Sequence, residues 1–110
     1  MKRVLTIAVI AALAAAPAAW AGGDAAAGKA KAAQVCGACH GPEGNKPSAP
    51  DQPILAGQYP DYLVKALTDY KSGKRKNPIM MGFASTLSAK DIEDVAAWFS
   101  SQSSDLHSER

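Results

Sequence analysis

The sequence predicts a small all-α domain behind a secretory leader. Apolar residues recur at helical spacing in two segments, and an Ala-rich segment opens with a helix-capping residue. No alternating apolar run is long enough to predict a strand. The chain has 110 residues without an internal repeat or long linker. We therefore expect one domain over residues 22–102 and a disordered tail over residues 103–110.

Residues 1–21 have the pattern of a cleaved signal peptide. Lys2 and Arg3 precede an apolar run over residues 4–16, and the segment closes with small residues ending at Ala21. The run is shorter than the roughly 20 apolar residues of a membrane span. Cleavage after Ala21 would leave an exported, periplasmic chain with ten basic and ten acidic residues. This neutral balance argues against a nucleic-acid partner.

The first predicted helix covers residues 24–35, with Asp24 as its N-cap. Gly28 costs this helix about 1 kcal/mol relative to Ala, so we expect another backbone to approach closely there. A long loop follows over residues 41–57, with four prolines and three glycines.

The second helix begins at Pro60, ends near Gly73 and carries one apolar face. That face comprises Tyr62, Leu63, Ala66, Leu67 and Tyr70. A basic cluster and a predicted loop over residues 77–86 come next. The cluster comprises Lys71, Lys74, Arg75 and Lys76.

The last helix has the clearest boundaries. Ser88 and Asp91 have capping-box spacing, with Asp in place of the usual Glu. An apolar stripe follows at Ile92, Val95, Ala96 and Phe99. Beyond the leader, only 19 large apolar side chains serve 89 residues. A domain this small often needs a cofactor to complete its core.

The segment Cys36-Gly37-Ala38-Cys39-His40 has the attachment spacing of c-type haem. The thiols of Cys36 and Cys39 would form thioethers with the porphyrin, and His40 would be an axial iron ligand. Three alternatives are weaker. A disulfide would close only a very small loop, a thioredoxin-like pair would need strands, and a zinc site would depend on the distant His107.

Either of two methionines could close the other face of the iron. Met80 and Met81 lie in the predicted loop, where packing in the core is a less natural role than ligation. Helix geometry does not choose between them. His107 is a rival ligand in a polar tail.

The chain beyond its leader resembles class I cytochromes c, in particular the bacterial periplasmic proteins related to cytochromes c4 and c5. The resemblance covers residues 23–102. It is carried by GDAAAGKAKAAQVCGACHG, PILAGQ, KSGKR and MMGFASTLSAKDIEDVAAWF. It implies a small cytochrome c fold, with three main helices around one covalent haem and the first and last helices crossing.

The resemblance also implies site residues. Counting back from Leu87 selects Met80 as the iron ligand, with Met81 as the alternative. The carbonyl of Pro53 would orient the His40 imidazole, and Gly28 would meet the ring of Trp98.

These features predict an electron carrier rather than an enzyme. The resemblance implies redox proteins as partners, such as a membrane oxidoreductase and a terminal oxidase. We expect them to bind transiently to a monomer that self-associates at most weakly. The alternatives are a cytochrome subunit of a dehydrogenase, and a ligand-binding sensor or enzyme with a labile Met. The basic cluster is either a solvated helix end, a steering surface for an acidic partner, or a partner for a haem propionate through Arg75.

Overall fold

The computed structural model describes residues 22–104, which form five helices and no strand. The predicted leader, His107 and the rest of the predicted tail beyond residue 104 lie outside the described residues. The helices are α1 (Ala25–Val35), α2 (Gly37–His40), α3 (Pro60–Ser72), α4 (Pro78–Ala84) and α5 (Ala89–Ser100). None of these helices is both long and apolar enough to cross a membrane.

The predicted helix boundaries are confirmed at three places. The Asp24 carboxylate accepts from the amides of Ala26 and Ala27, which caps α1. Helix α3 ends at a left-handed Gly73 with φ of 83°. Ser88 begins α5 with a reciprocal capping box: its hydroxyl accepts from the Asp91 amide, and the Asp91 carboxylate accepts from the Ser88 amide.

Helices α1 and α5 touch backbone to backbone at Gly28. A Cβ built on Gly28 would lie 1.9 Å from the Asp94 carbonyl oxygen and 3.0 Å from the Trp98 Cβ. The predicted close approach is therefore confirmed: the two nearest atoms belong to the Asp94 backbone, and the third is the Cβ of Trp98. The Trp98 ring lies beside Lys29, whose ammonium is 5.5 Å from the ring centroid.

A buried carboxylate joins the start of α1 to α5. Asp94 is 4% exposed. Its carboxylate accepts from the Asp24 amide at 2.8 Å and from the Lys90 ammonium at 2.6 Å. Burial raises the pKa of Asp94, but the hydrogen bonds from Lys90 and Asp24 outweigh it and hold the pKa below its ordinary value.

The region predicted as a loop over residues 77–86 contains helix α4 instead. The side chain of Asn77 caps it by accepting from the amides of Ile79 and Met80, each at 3.1 Å. Pro78 occupies the first turn, where a missing N–H costs nothing. The prediction was wrong because seven residues are too few for helical periodicity to show, and because Pro78 and Gly82 resemble turn residues.

The buried core is small and lies where α1, α3 and α5 meet. Its central cluster consists of Ala32, Leu63, Val95, Ala96 and Phe99. Helix α4 packs against α3. The remaining apolar faces of α3 and α4 border a cavity, which contains the predicted site residues.

Candidate metal centre

A cavity of about 390 Å³ lies between the long loop and helices α2, α3, α4 and α5. Six of the predicted site residues line it: Cys36, Cys39, His40, Pro53, Arg75 and Met80. These residues are up to 44 positions apart in the sequence. The fold therefore gathers two thiols, an imidazole and a thioether around one space.

His40 is held in one orientation by the loop. Its side chain is buried, and Nδ1 lies 2.8 Å from the Pro53 carbonyl oxygen. Because a carbonyl can only accept, Nδ1 must carry the hydrogen. In the neutral ring Nε2 then keeps a free lone pair, which is what an axial metal ligand requires.

Cys36 and Cys39 are free thiols at the cavity wall, and both are half-buried. Burial raises the pKa of the Cys36 thiol to about 11, so it is uncharged at neutral pH. The two thiols do not form a disulfide, contrary to that alternative. In residues 22–104, no three or more His, Cys, Asp or Glu side chains converge on a common metal position. The fourth ligand of the zinc alternative, His107, lies outside the described residues.

The two methionines face different surroundings. Met80 lines the cavity. The side chain of Met81 instead reaches the C-terminal end of α3: its Cε is 3.9 Å from the position of a Cβ built on Gly73. The side chains point apart because neighbouring helical positions differ in direction by roughly 100°. Helix α4 thus presents Met80, and not Met81, to the same space as His40.

Arg75 stands at the edge of the cavity between two tyrosines. Its Nη1 is 3.3 Å from the Tyr62 hydroxyl, and the guanidinium carbon is 4.9 Å from the centroid of the Tyr70 ring. The hydrogen bond with Tyr62 raises the pKa of Arg75 above its ordinary value. A permanent positive charge is therefore held at the mouth.

Exposed apolar side chains concentrate around the same cavity. Five large apolar side chains are exposed among the described residues, and four of them line it: Ile54, Tyr62, Ile79 and Phe83. Sequence reasoning missed three of these, because Ile54, Ile79 and Phe83 lie in segments interpreted as loops. An apolar group seated among them would remove them from water. This lining and the donor set fit a porphyrin bound by thioethers, imidazole and a Met sulfur.

The loop that presents Pro53 is held from behind by its own backbone and by α5. The Gly44 carbonyl accepts from the amides of Leu55 and Ala56, at 2.8 and 3.1 Å. The Gly57 amide donates to the Phe99 carbonyl at 2.9 Å. The hydroxyl of Ser104, in the predicted tail, donates to the Ala56 carbonyl.

The turn after His40 is also attached to α5. The Trp98 indole N–H donates to the Pro42 carbonyl at 2.9 Å. Sequence reasoning gave Trp98 only a packing role against α1. The indole N–H is a hydrogen-bond donor that a purely apolar ring lacks, and this donor could have indicated a polar contact for Trp98.

The part of the chain that the structure describes is similar to known proteins. The profile of the family described as cytochrome C oxidase, cbb3-type, subunit III matches residues 23–99. Cytochrome c4 of Pseudomonas aeruginosa is 53% identical over 68 residues, covering 62% of this chain and 33% of that protein. Cytochrome c-554(548) of Halomonas halodenitrificans is 45% identical over 71 residues, covering 62% of this chain and 84% of that protein. Further relatives include a cytochrome subunit of sulfide dehydrogenase from Chlorobaculum tepidum.

A solved structure of a cytochrome c4 also has a similar fold. The crystal structure of reduced cytochrome c4 from Pseudomonas stutzeri superposes with a TM-score of 0.67 at 50% identity, covering 74% of this chain and 46% of that one. The chain thus spans about a third to a half of the cytochrome c4 chains it matches. Haem c is the cofactor of this family. The all-helical fold, the cavity and the profile match together show that the chain belongs to the cytochrome c family described as cbb3-type cytochrome c oxidase subunit III.

Proposed function

We propose that this protein is an electron carrier that holds one haem c, attached at Cys36 and Cys39, with His40 and Met80 as the axial iron ligands. The observation that carries the proposal is the convergence of these four side chains on one apolar-lined cavity. A haem bound there supplies a one-electron iron couple, and the chain supplies ligation, burial and orientation. We propose one haem because the chain holds one attachment motif.

The surrounding residues would keep the iron six-coordinate. The Pro53 carbonyl, 2.8 Å from Nδ1, restrains the His40 ring and makes it a better donor. On the other side, α4 brings Met80 to the cavity in a capped and proline-initiated segment. A closed iron favours electron transfer over binding of external ligands. We therefore propose that the protein acts as an electron carrier and not as an enzyme.

Arg75 would meet a haem propionate at the mouth of the cavity. It lines the cavity and is restrained by Tyr62 and Tyr70. A positive charge beside a propionate would hold that carboxylate ionised.

The setting of the carrier is also a proposal. Residues 1–21 would be removed on export to the periplasm, and residues 22–102 would form the haem domain. We expect a monomer with transient redox partners, such as a membrane oxidoreductase and a terminal oxidase.

A permanent cytochrome subunit of a dehydrogenase is the second candidate. It is favoured by the relative from Chlorobaculum tepidum, whose name describes such a subunit. Purification from the native periplasm separates the two. A carrier elutes at the size of the free domain, whereas a subunit elutes with a larger enzyme.

The ligand set is tested by the visible and near-infrared spectrum of the protein matured with haem. Low-spin bands and the weak near-infrared band of Met-ligated ferric haem are expected in the unmodified protein. Met80→Ala should abolish that near-infrared band, and the matched control Met81→Ala should keep it. Loss of the band in Met81→Ala alone would assign the ligand to the neighbouring residue. A high-spin unmodified protein that binds carbon monoxide readily would refute the carrier and favour the sensor or enzyme.

A further inference from the structure

Lys71 differs from the rest of the basic cluster in what its side chain contacts. It lies in the last turn of α3, and its ammonium donates to the carbonyl oxygen of Leu87. Lys74 and Lys76 make no side-chain hydrogen bond or ion pair with any residue in 22–104, and Arg75 is engaged with tyrosines at the cavity mouth. Only Lys71 of the four thus bonds to the segment that follows α4.

Leu87 belongs to the short connection through which the chain passes from α4 to α5. It lies between the end of α4 at Ala84 and the start of α5 at Ala89. Its side chain is 2% exposed and lines the cavity, and its amide donates to the Ala84 carbonyl at 3.1 Å. A hydrogen bond to the Leu87 carbonyl therefore restrains the C-terminal end of residues 77–88, the α4 segment, which carries Met80.

The N-terminal end of the α4 segment is held differently. Asn77 fixes it through bonds to the amides of Ile79 and Met80, which are internal to the segment. These bonds shape α4 but do not attach it to the rest of the fold. The bond from Lys71 does so, because it joins the segment to α3, whose Leu67 and Tyr70 line the cavity.

We propose that Lys71 is a positioning residue that holds the α4 segment against α3 and so resists displacement of Met80 from the iron. This inference rests on the proposed haem ligation. A hydrogen bond from an ammonium to a partly buried carbonyl is among the stronger kinds, and its loss leaves the carbonyl without that donor. The segment then moves outward at lower cost, and an external ligand reaches the iron more often.

The test is an imidazole titration of the oxidised holoprotein, followed in the visible spectrum. Lys71→Met removes the donor while keeping most of the aliphatic stem. We expect its apparent affinity for imidazole to rise about tenfold, which corresponds to losing part of a charged hydrogen bond. Lys74→Met is the matched control, because it removes the same charge from the same cluster without removing a bond. We expect it to change the affinity by less than about twofold.

Two further variants keep the test decisive. Lys71→Arg retains a cationic donor and should restore most of the resistance to imidazole. If Lys71→Met does not mature, Lys71→Leu takes its place, because it also lacks a donor, and tighter binding of imidazole is again expected. Equal imidazole affinity in the Lys71 and Lys74 variants would overturn the inference while leaving the ligand set intact. An unmodified protein without Met ligation would instead overturn the proposed function.

Discussion

The close approach of the α1 and α5 backbones at Gly28 makes Gly28→Ala a sharp test of how these two helices pack. A methyl group at Gly28 would lie 1.9 Å from the Asp94 carbonyl oxygen, whereas ordinary contact begins at 3.4 Å. The helices would have to separate by about 1.5 Å, the difference between these two distances. Overpacking of this kind costs about 1–3 kcal/mol, and the severity of this clash favours the upper end of that range. Alanine returns about 1 kcal/mol of helix propensity.

We therefore expect a net loss of about 2 kcal/mol in the free energy of unfolding. For a domain of this size, that loss lowers the Tm by about 8–16 °C. The assay is urea and thermal unfolding of the holoprotein, followed by far-ultraviolet circular dichroism.

Gly82→Ala is the matched control for this substitution. Gly82 also lies within a helix, but no atom lies within 4 Å of a Cβ built on it. Here the propensity term acts alone, and we expect stability to rise by up to about 1 kcal/mol. If Gly28→Ala were also neutral or stabilising, the proposed steric contact between α1 and α5 would be refuted.

Two further substitutions test how α5 is joined to the rest of the fold. Asp94→Asn should destabilise the protein by about 1–2 kcal/mol at neutral pH, since it removes the charge from two hydrogen bonds. Because the folded pKa of Asp94 lies below its unfolded value, its contribution is present above about pH 4 and is lost as the pH falls through the folded pKa. Urea unfolding at a series of pH values should show the deficit of the variant closing in acid, and a deficit independent of pH would contradict this account. Trp98→Phe keeps a ring but removes the donor to Pro42, and we expect a loss of about 1 kcal/mol in urea unfolding. An unchanged midpoint would mean that water replaces this bond without cost.

The clustering of exposed apolar side chains has a consequence for folding. Ile54, Tyr62, Ile79 and Phe83 border the cavity, while the packed cluster at the meeting point of α1, α3 and α5 contains five buried residues, two of them alanines. A core of this size leaves a small domain marginally stable. A haem among these side chains would add the missing apolar contact, so cofactor attachment and stability should be coupled.

Much of this protein can be predicted from the sequence because the relevant signals are local. Cys36, Cys39 and His40 lie within five consecutive residues, so their spacing indicates the haem chemistry without any knowledge of the fold. Asp24, Gly73 and the pair formed by Ser88 and Asp91 act on neighbouring backbone groups, which is why the ends of three helices were predictable. Gly28 was unusual enough within a helix to indicate a close approach.

Other features depend on parts of the chain that meet only after folding. The choice between Met80 and Met81 on geometric grounds depends on the rotation of α4 about its axis, which is set by packing against α3. The four cations of one short segment take different roles because Leu87, Tyr62 and Tyr70 approach only some of them. Composition and spacing determine which chemistry is available, since they specify the atoms. Tertiary packing decides which of those atoms face one another, because the directions of side chains are set by helices that are distant in sequence.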